Sequence, residues 1–153
     1  MAIDTNTGLF TVAVFQDAAW AAKALDALKQ AGFSPEGTTV IAKDTPDAAT
    51  LISKTFGSPG DRLELGTIGS VVAHGPLVAA LQGSARDLTT LGLAGTMRRV
   101  GFQAHDGRIF ETLTGRGGIL VAVRSEPRAA DALALFHSYG GGNAAIGAWS
   151  GRI

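Results

Sequence analysis

The sequence predicts an α+β fold on three observations. A nearly continuous apolar run, Leu9–Phe15, leads into an amphipathic helix and a second apolar run at Thr38–Ala42. The same order of patterns returns near the end of the chain, from Ile119. The stretch between them has helix starts and glycine stops but no third copy. Aligned without a gap, Val12, Ala13 and Val14 fall on Val121, Ala122 and Val123, Asp17 on Glu126, Ala21 on Ala130, Gly32 on Gly141 and Val40 on Trp149. Two βαβ units in one small domain predict a four-stranded antiparallel sheet with two helices on one face, the ferredoxin-like arrangement, and right-handed crossovers favour it over other packings. The expected organisation is one domain over 1–153, with a first βαβ repeat at 9–43, a helical insertion at 44–118 and a second repeat at 119–150.

Each element has a local reason. Leu9–Phe15 is rich in valine and phenylalanine and suits a buried strand. Asp17 can accept from the free N–H groups of the next helix, in which Trp20, Ala24, Leu25, Leu28 and Ala31 recur at helical spacing as one apolar face. Gly32 stands at its C-terminal stop. Ser34-Pro35-Glu36-Gly37 is a turn into the second strand. In the insertion, Thr45-Pro46-Asp47 starts a helix that reaches about Phe56, and Gly57-Ser58-Pro59-Gly60 is a loop. Pro76–Leu81 is a helix opening on proline, and Ser84 with Asp87 resembles a capping box. Leu88–Val100 continues as a helix through Gly92 and Gly95, and Asp106–Leu113 is a helix stopping at Gly115. The insertion thus reads as short helices covering the sheet face or edge left open by the repeats. In the second repeat Ile119–Val123 is a strand, Glu126 is the cap, Pro127 is the first residue of a helix to about Tyr139, and Ala144–Ser150 is the last strand.

Composition narrows the function. The 153 residues are 46% hydrophobic, enough for a sizeable core. Thirteen basic residues balance thirteen acidic ones, so the basic excess of a nucleic-acid binder is missing and no nucleic-acid partner is expected. A net charge of zero also leaves little self-repulsion to oppose association. Cysteine is absent, which removes disulfides, thiolate nucleophiles and cysteine metal sites and fits a cytoplasmic location. Met1–Gly8 has neither a basic nor an apolar signal region, so no signal peptide is expected. No run approaches the roughly 18 apolar residues of a membrane helix.

Residues able to carry chemistry are few. His74, His105 and His137 have no partner at metal-ligand spacing, so neither a metal nor another cofactor is expected. His137 lies where the first copy has Leu28, which predicts a core-facing or half-buried ring. His105-Asp106 reads as a helix start, whereas His74 precedes Gly75-Pro76, where a loop residue can face a cleft. No Gly-x-Ser-x-Gly elbow is present. Gly115-Arg116-Gly117-Gly118 precedes a strand, not a helix, and so reads as a turn, not a phosphate loop. Arg98 and Arg99, with Arg108 and Arg116 downstream, are candidates for a local anion site, although the dipole at a helix C-terminus already favours cations at Arg98 and Arg99. His74, Arg98, Arg99 and Arg116 are the ligand-binding candidates, Trp149 and Ile153 the interface candidates, and no catalytic residue is assigned.

Three blocks also resemble the bacterial general-stress or heat-induced stress proteins. Phe10–Lys43 is similar to that family's opening βαβ unit. His74-Gly75-Pro76-Leu77-Val78-Ala79-Ala80-Leu81 resembles its central Gly-Pro-Leu-x-Ala-Ala-Leu stretch. Gly101-Phe102, Phe110-Glu111 and Arg116–Val123 resemble its run into the final unit. The likeness covers about Leu9–Tyr139 and implies a stress-related protein without an assigned active site. His74, Gln82, Arg86 and Asp87 interrupt what the family often has as a continuous apolar stretch, so membrane association is not expected. The reading is a non-catalytic structural or protein-interaction protein, a homo-oligomer joined by a sheet edge or face, with an unknown protein partner as a further option. The alternative is a small-molecule- or anion-binding regulatory module of ferredoxin-like type. An enzyme would need a cleft gathering His74 or His105 with an acid or a serine.

Overall fold

The computed structural model describes residues 10–65, 68–82, 87–99, 104–124, 128–139 and 150–152. In chain order these form β1 (Phe10–Phe15), α1 (Ala18–Gln30), β2 (Thr38–Lys43), α2 (Pro46–Phe56), β3 (Asp61–Leu65), β4 (Gly69–His74), α3 (Pro76–Gln82), α4 (Asp87–Arg99), α5 (Ala104–Gly115), β5 (Ile119–Arg124), α6 (Ala129–Ser138) and β6 (Ser150–Arg152). The fold is α+β. Its single sheet is six-stranded, in the order β3-β4-β2-β5-β1-β6. Every neighbouring pair is antiparallel. β1 and β2 therefore run parallel on either side of β5, and β5 and β6 run parallel on either side of β1, so each βαβ unit is split by a strand of the other.

The expectation of four strands is corrected to six, because the insertion carries a hairpin as well as helices. β3 pairs with β4 from Asp61↔Ala73 to Leu65↔Gly69, and β4 continues the sheet beyond β2 with Val40 opposite His74. β3 is an edge strand with Asp61, Arg62 and Glu64 exposed and only Leu65 buried, so its charges concealed it. α1 and α6 lie on one face as expected, joined there by α2, and α3, α4 and α5 from 44–118 cover the other face. One core packs Phe15, Val40, Val72 and Val121 against α1, α2 and α6 through Leu25, Leu28, Ile52 and Phe136. A second core packs Val12, Ile41, Val71 and Leu120 against α3, α4 and α5 through Leu77, Leu81, Met97 and Phe110. Helices on both faces explain why β1 is buried at all six positions and does not alternate. Phe15 and Phe136 meet edge to face at 5.7 Å, which joins β1 to α6.

The helix ends are set by side chains. Asp17 accepts from the Trp20 N–H at 2.9 Å at the start of α1. At its end the Phe33 N–H donates to Leu28 O at 3.0 Å and the Gly32 N–H to Lys29 O at 3.1 Å, the paired bonds of a Schellman stop. The buried stripe of α1 runs through Ala21, Ala24, Leu25 and Leu28. Trp20, expected on it, lies 38% exposed with the Lys23 ammonium 4.5 Å from its ring centroid. Thr45 caps α2 by accepting from the Ala48 N–H at 3.2 Å.

α4 is not one continuous helix. Gly92 has φ 80° and ψ 176° and breaks it, a conformation glycine adopts freely. The second segment's Ala94 N–H is taken at 3.1 Å by Glu111 Oε2 from α5, which completes a helix start from a different element. Ser84, Glu126 and Pro127 lie outside the described residues. The Gln82 side chain accepts from the Leu88 N–H at 3.0 Å, and α6 begins only at Ala129, with Arg128 at its cap position. Among the described residues no helix is long and apolar enough to cross a membrane.

Candidate functional site

His74 ends β4 opposite Val40 of β2. Gly75 then turns the chain into α3, whose Leu77 N–H donates to the buried Thr39 Oγ1 at 2.9 Å. A Cβ on Gly75 would stand 2.4 Å from Thr38 O and 2.5 Å from Thr39 Cα. The turn therefore rests directly on the β2 backbone, and the glycine is required by that approach. The His74 ring stacks on Phe56 at the end of α2, with centroids 4.4 Å apart and planes inclined by 24°. Its Nδ1 is buried without a hydrogen-bond partner.

An open cleft of about 830 Å³ adjoins this turn, bordered by Glu36, Asp61, Arg62, His74, Pro76 and Gln82. Arg62 Nε is 2.7 Å from Asp44 Oδ2, so its charge is already matched. The Glu36 carboxyl is held below the usual glutamate range by the Ser34 hydroxyl, which donates to it, and then by its own backbone N–H. The cleft thus offers two carboxylates, an amide and an imidazole. Among the described residues no group of three or more histidines and acids could hold a metal ion.

The other predicted ligand residues are not gathered here. Arg116 is exposed in the turn before Ile119. Ile119 lies opposite Phe15, whereas His74 lies opposite Val40, which itself faces Val121. Arg116 therefore sits at the far end of the sheet from His74. Arg98 is exposed on α4. The side chains of Arg99 and His105 fall outside the described set, as do Trp149 and Ile153. His74 and Arg62 instead border the same cleft. His137 is exposed on α6 instead of facing the core.

Sequence reasoning missed Thr39, Phe56 and Arg128. Arg128 Nη1 donates to Ala31 O at 2.7 Å, closing the end of α1. Its guanidinium lies 4.5 Å from the Phe33 ring centroid, and its Nε bonds Asp131 at 3.1 Å. Nothing local in the sequence signals this link, because it joins residues 97 positions apart. The chain matches no family model, no curated protein and no solved structure.

Proposed function

We propose that the chain is a non-catalytic, self-associating domain of general-stress type, working in the cytoplasm on a ferredoxin-like framework. The strand order β6-β1-β5-β2 supports that framework, with the β3–β4 hairpin as an extension of its edge. The observation that carries the reading is the contrast between the two sheet edges. β3 presents Asp61, Arg62 and Glu64 to solvent, and charged side chains on an edge oppose pairing with a second sheet. β6 has Gly151 at its centre and, among the described residues, pairs with Thr11, Val12 and Ala13 of β1. A glycine in an edge strand leaves room for a second backbone. Two copies meeting through β6 about a two-fold axis would form a self-complementary interface.

The use of polar side chains supports a structural role. Asp17, Thr45, Thr39, Gln82 and Glu111 each accept from a free N–H near the start of a helix or helical segment. Equal numbers of acidic and basic residues leave no net charge to resist association. Trp149 and Ile153 flank β6 in sequence, and Trp is a residue type that anchors interfaces. Sedimentation of the wild type and Gly151→Lys tests the reading. The wild type should associate with rising concentration and the variant, with a charged edge, should remain monomeric. A wild type still monomeric at about 1 mM, where an association of roughly 4 kcal/mol is half complete, would overturn it.

The cleft beside His74 favours a second reading, a small-molecule- or anion-binding regulatory module. A thermal-shift panel of metabolites, nucleotides and anions tests it. A stabilising compound whose effect is lost in His74→Ala supports it, and silence across the panel removes it.

A further inference from the structure

We propose that a slot between α1 and α2, remote from the β6 edge and independent of the self-association reading, binds a small aromatic carboxylate. The slot has a volume of about 170 Å³, with Leu25, Leu28, Phe33 and Leu51 among its walls. These four side chains are all buried, between 1% and 8% exposed. Its size is that of a single ring, since an apolar protein cavity of about 150 Å³ holds benzene. Lys29 and Lys54 stand at its rim, in the last turns of α1 and α2.

The charges decide the ligand. Among the described residues neither lysine makes an ion pair. Asp26 is the one acid lining the slot, so the lining carries one net positive charge. Arg128 stacks over the Phe33 ring that forms part of the wall, its own charge matched by Asp131. Helix dipoles account for cations at the ends of α1 and α2. They do not account for a void between those ends, walled in part by Leu25, Leu28, Phe33 and Leu51, with two ammonium groups at its mouth that make no ion pair among the described residues. An occupant that satisfies both features has an apolar ring to fill the slot and a carboxylate to reach the lysines.

The test is a titration of the ¹⁵N-labelled full chain with benzoate and with benzyl alcohol, its neutral counterpart. Benzoate should give saturable amide shifts centred on Leu25, Leu28, Lys29, Leu51 and Lys54. Two surface ion pairs of ordinary strength make benzoate bind about 3- to 10-fold tighter than the alcohol at low salt, and the preference should shrink as salt is raised. The double variant Lys29→Gln/Lys54→Gln should keep the fold and lose the preference. Ala22→Phe should fill the slot and weaken both ligands together; if that variant does not fold, the lysine variant alone decides. No saturable shift, shifts centred elsewhere, equal affinity for the two ligands in the wild type, or a preference that survives removal of both lysines would each overturn the proposal. None of these results bears on sedimentation through β6, so the two proposals fail separately.

Discussion

Replacing Gly75 by alanine should be among the most damaging single-methyl changes in the chain. The added Cβ would lie 2.4 Å from Thr38 O and 2.5 Å from both Thr39 Cα and Thr39 Oγ1. Two of these atoms belong to the backbone of a strand flanked by β4 and β5, so no flexible side-chain end can swing away. Three costs follow. Gly75 has φ +125°, and holding an L-residue in so sparsely populated a region costs about 1–3 kcal/mol. Moving the turn off β2 is an overpacking strain of about 1–3 kcal/mol. That movement also stretches the buried bond from the Leu77 N–H to Thr39 Oγ1, and an unsatisfied buried donor costs about 1–3 kcal/mol. The sum is about 4 kcal/mol or more, against a total stability of about 5–15 kcal/mol for a typical domain.

Urea unfolding followed by circular dichroism measures this directly. With a slope of about 2 kcal/mol per molar, the midpoint should fall by roughly 2 M. Gly57→Ala is the control, because Gly57 has φ +75° but nothing within 4 Å of the added Cβ. It should cost only the backbone strain, about 1 kcal/mol. Equal losses in the two variants, or a Gly75→Ala loss under about 1 kcal/mol, would refute the argument that close approach fixes this glycine.

Thr39→Val keeps the shape of the residue but leaves the Leu77 N–H without its acceptor, so denaturation should show a loss of about 1–3 kcal/mol. Arg128→Ala removes the bond to Ala31 O and the stack on Phe33. It should cost about 1–2 kcal/mol, with Arg128→Lys recovering only part, and hydrogen exchange should quicken at the end of α1. Glu111→Ala exposes the loss of the acceptor for the Ala94 N–H. It should cost about 1 kcal/mol, with faster exchange confined to the segment after Gly92. Glu36 has its folded pKa depressed by the Ser34 hydroxyl. Its small stabilising contribution is present above the ordinary glutamate pKa and is lost as pH falls through the lower folded value. Ser34→Ala should move the Glu36 titration, followed by NMR, upward toward the ordinary value.

The parts of the fold legible in the sequence are those where a local pattern has one physical solution. β1 and β5 are apolar runs too short for helices and bounded by polar caps, and they pair along their whole length. Asp17 and Thr45 precede helices and cap them. The failures have equally specific causes. On α1, alanine at 18, 19, 21, 22, 24 and 27 makes several stripes almost equally apolar, so the buried face passes through Ala21 and leaves Trp20 outside. β3 has three charged residues in five because only one of its sides pairs and one face meets solvent. Gly92 sits inside a helical pattern, and what breaks the helix there is the company of α5, which supplies Glu111 as the new segment's acceptor. His74 was legible as a residue bordering a cleft, but Phe56, Asp61 and Arg62 reach it only through the hairpin the sequence concealed.

The same hairpin changes where a functional site can lie. Read as sequence, the repeats are scaffold and the insertion is where a specific role would be sought. In the folded chain neither part makes the His74 cleft alone. Glu36 comes from the first repeat, while Asp61, His74, Pro76 and Gln82 come from the insertion. The turn at Gly75 closes against Thr38 and Thr39 of the repeat strand β2. The slot between α1 and α2 is built in the same way, with Leu25, Leu28 and Phe33 from the repeat and Leu51 and Lys54 from the insertion. Both cavities therefore lie on seams where residues 9–43 meet residues 44–118. The two segments that resemble each other in sequence thus meet different neighbours, because residues 44–118 pack α2 and the β3–β4 hairpin against the first of them.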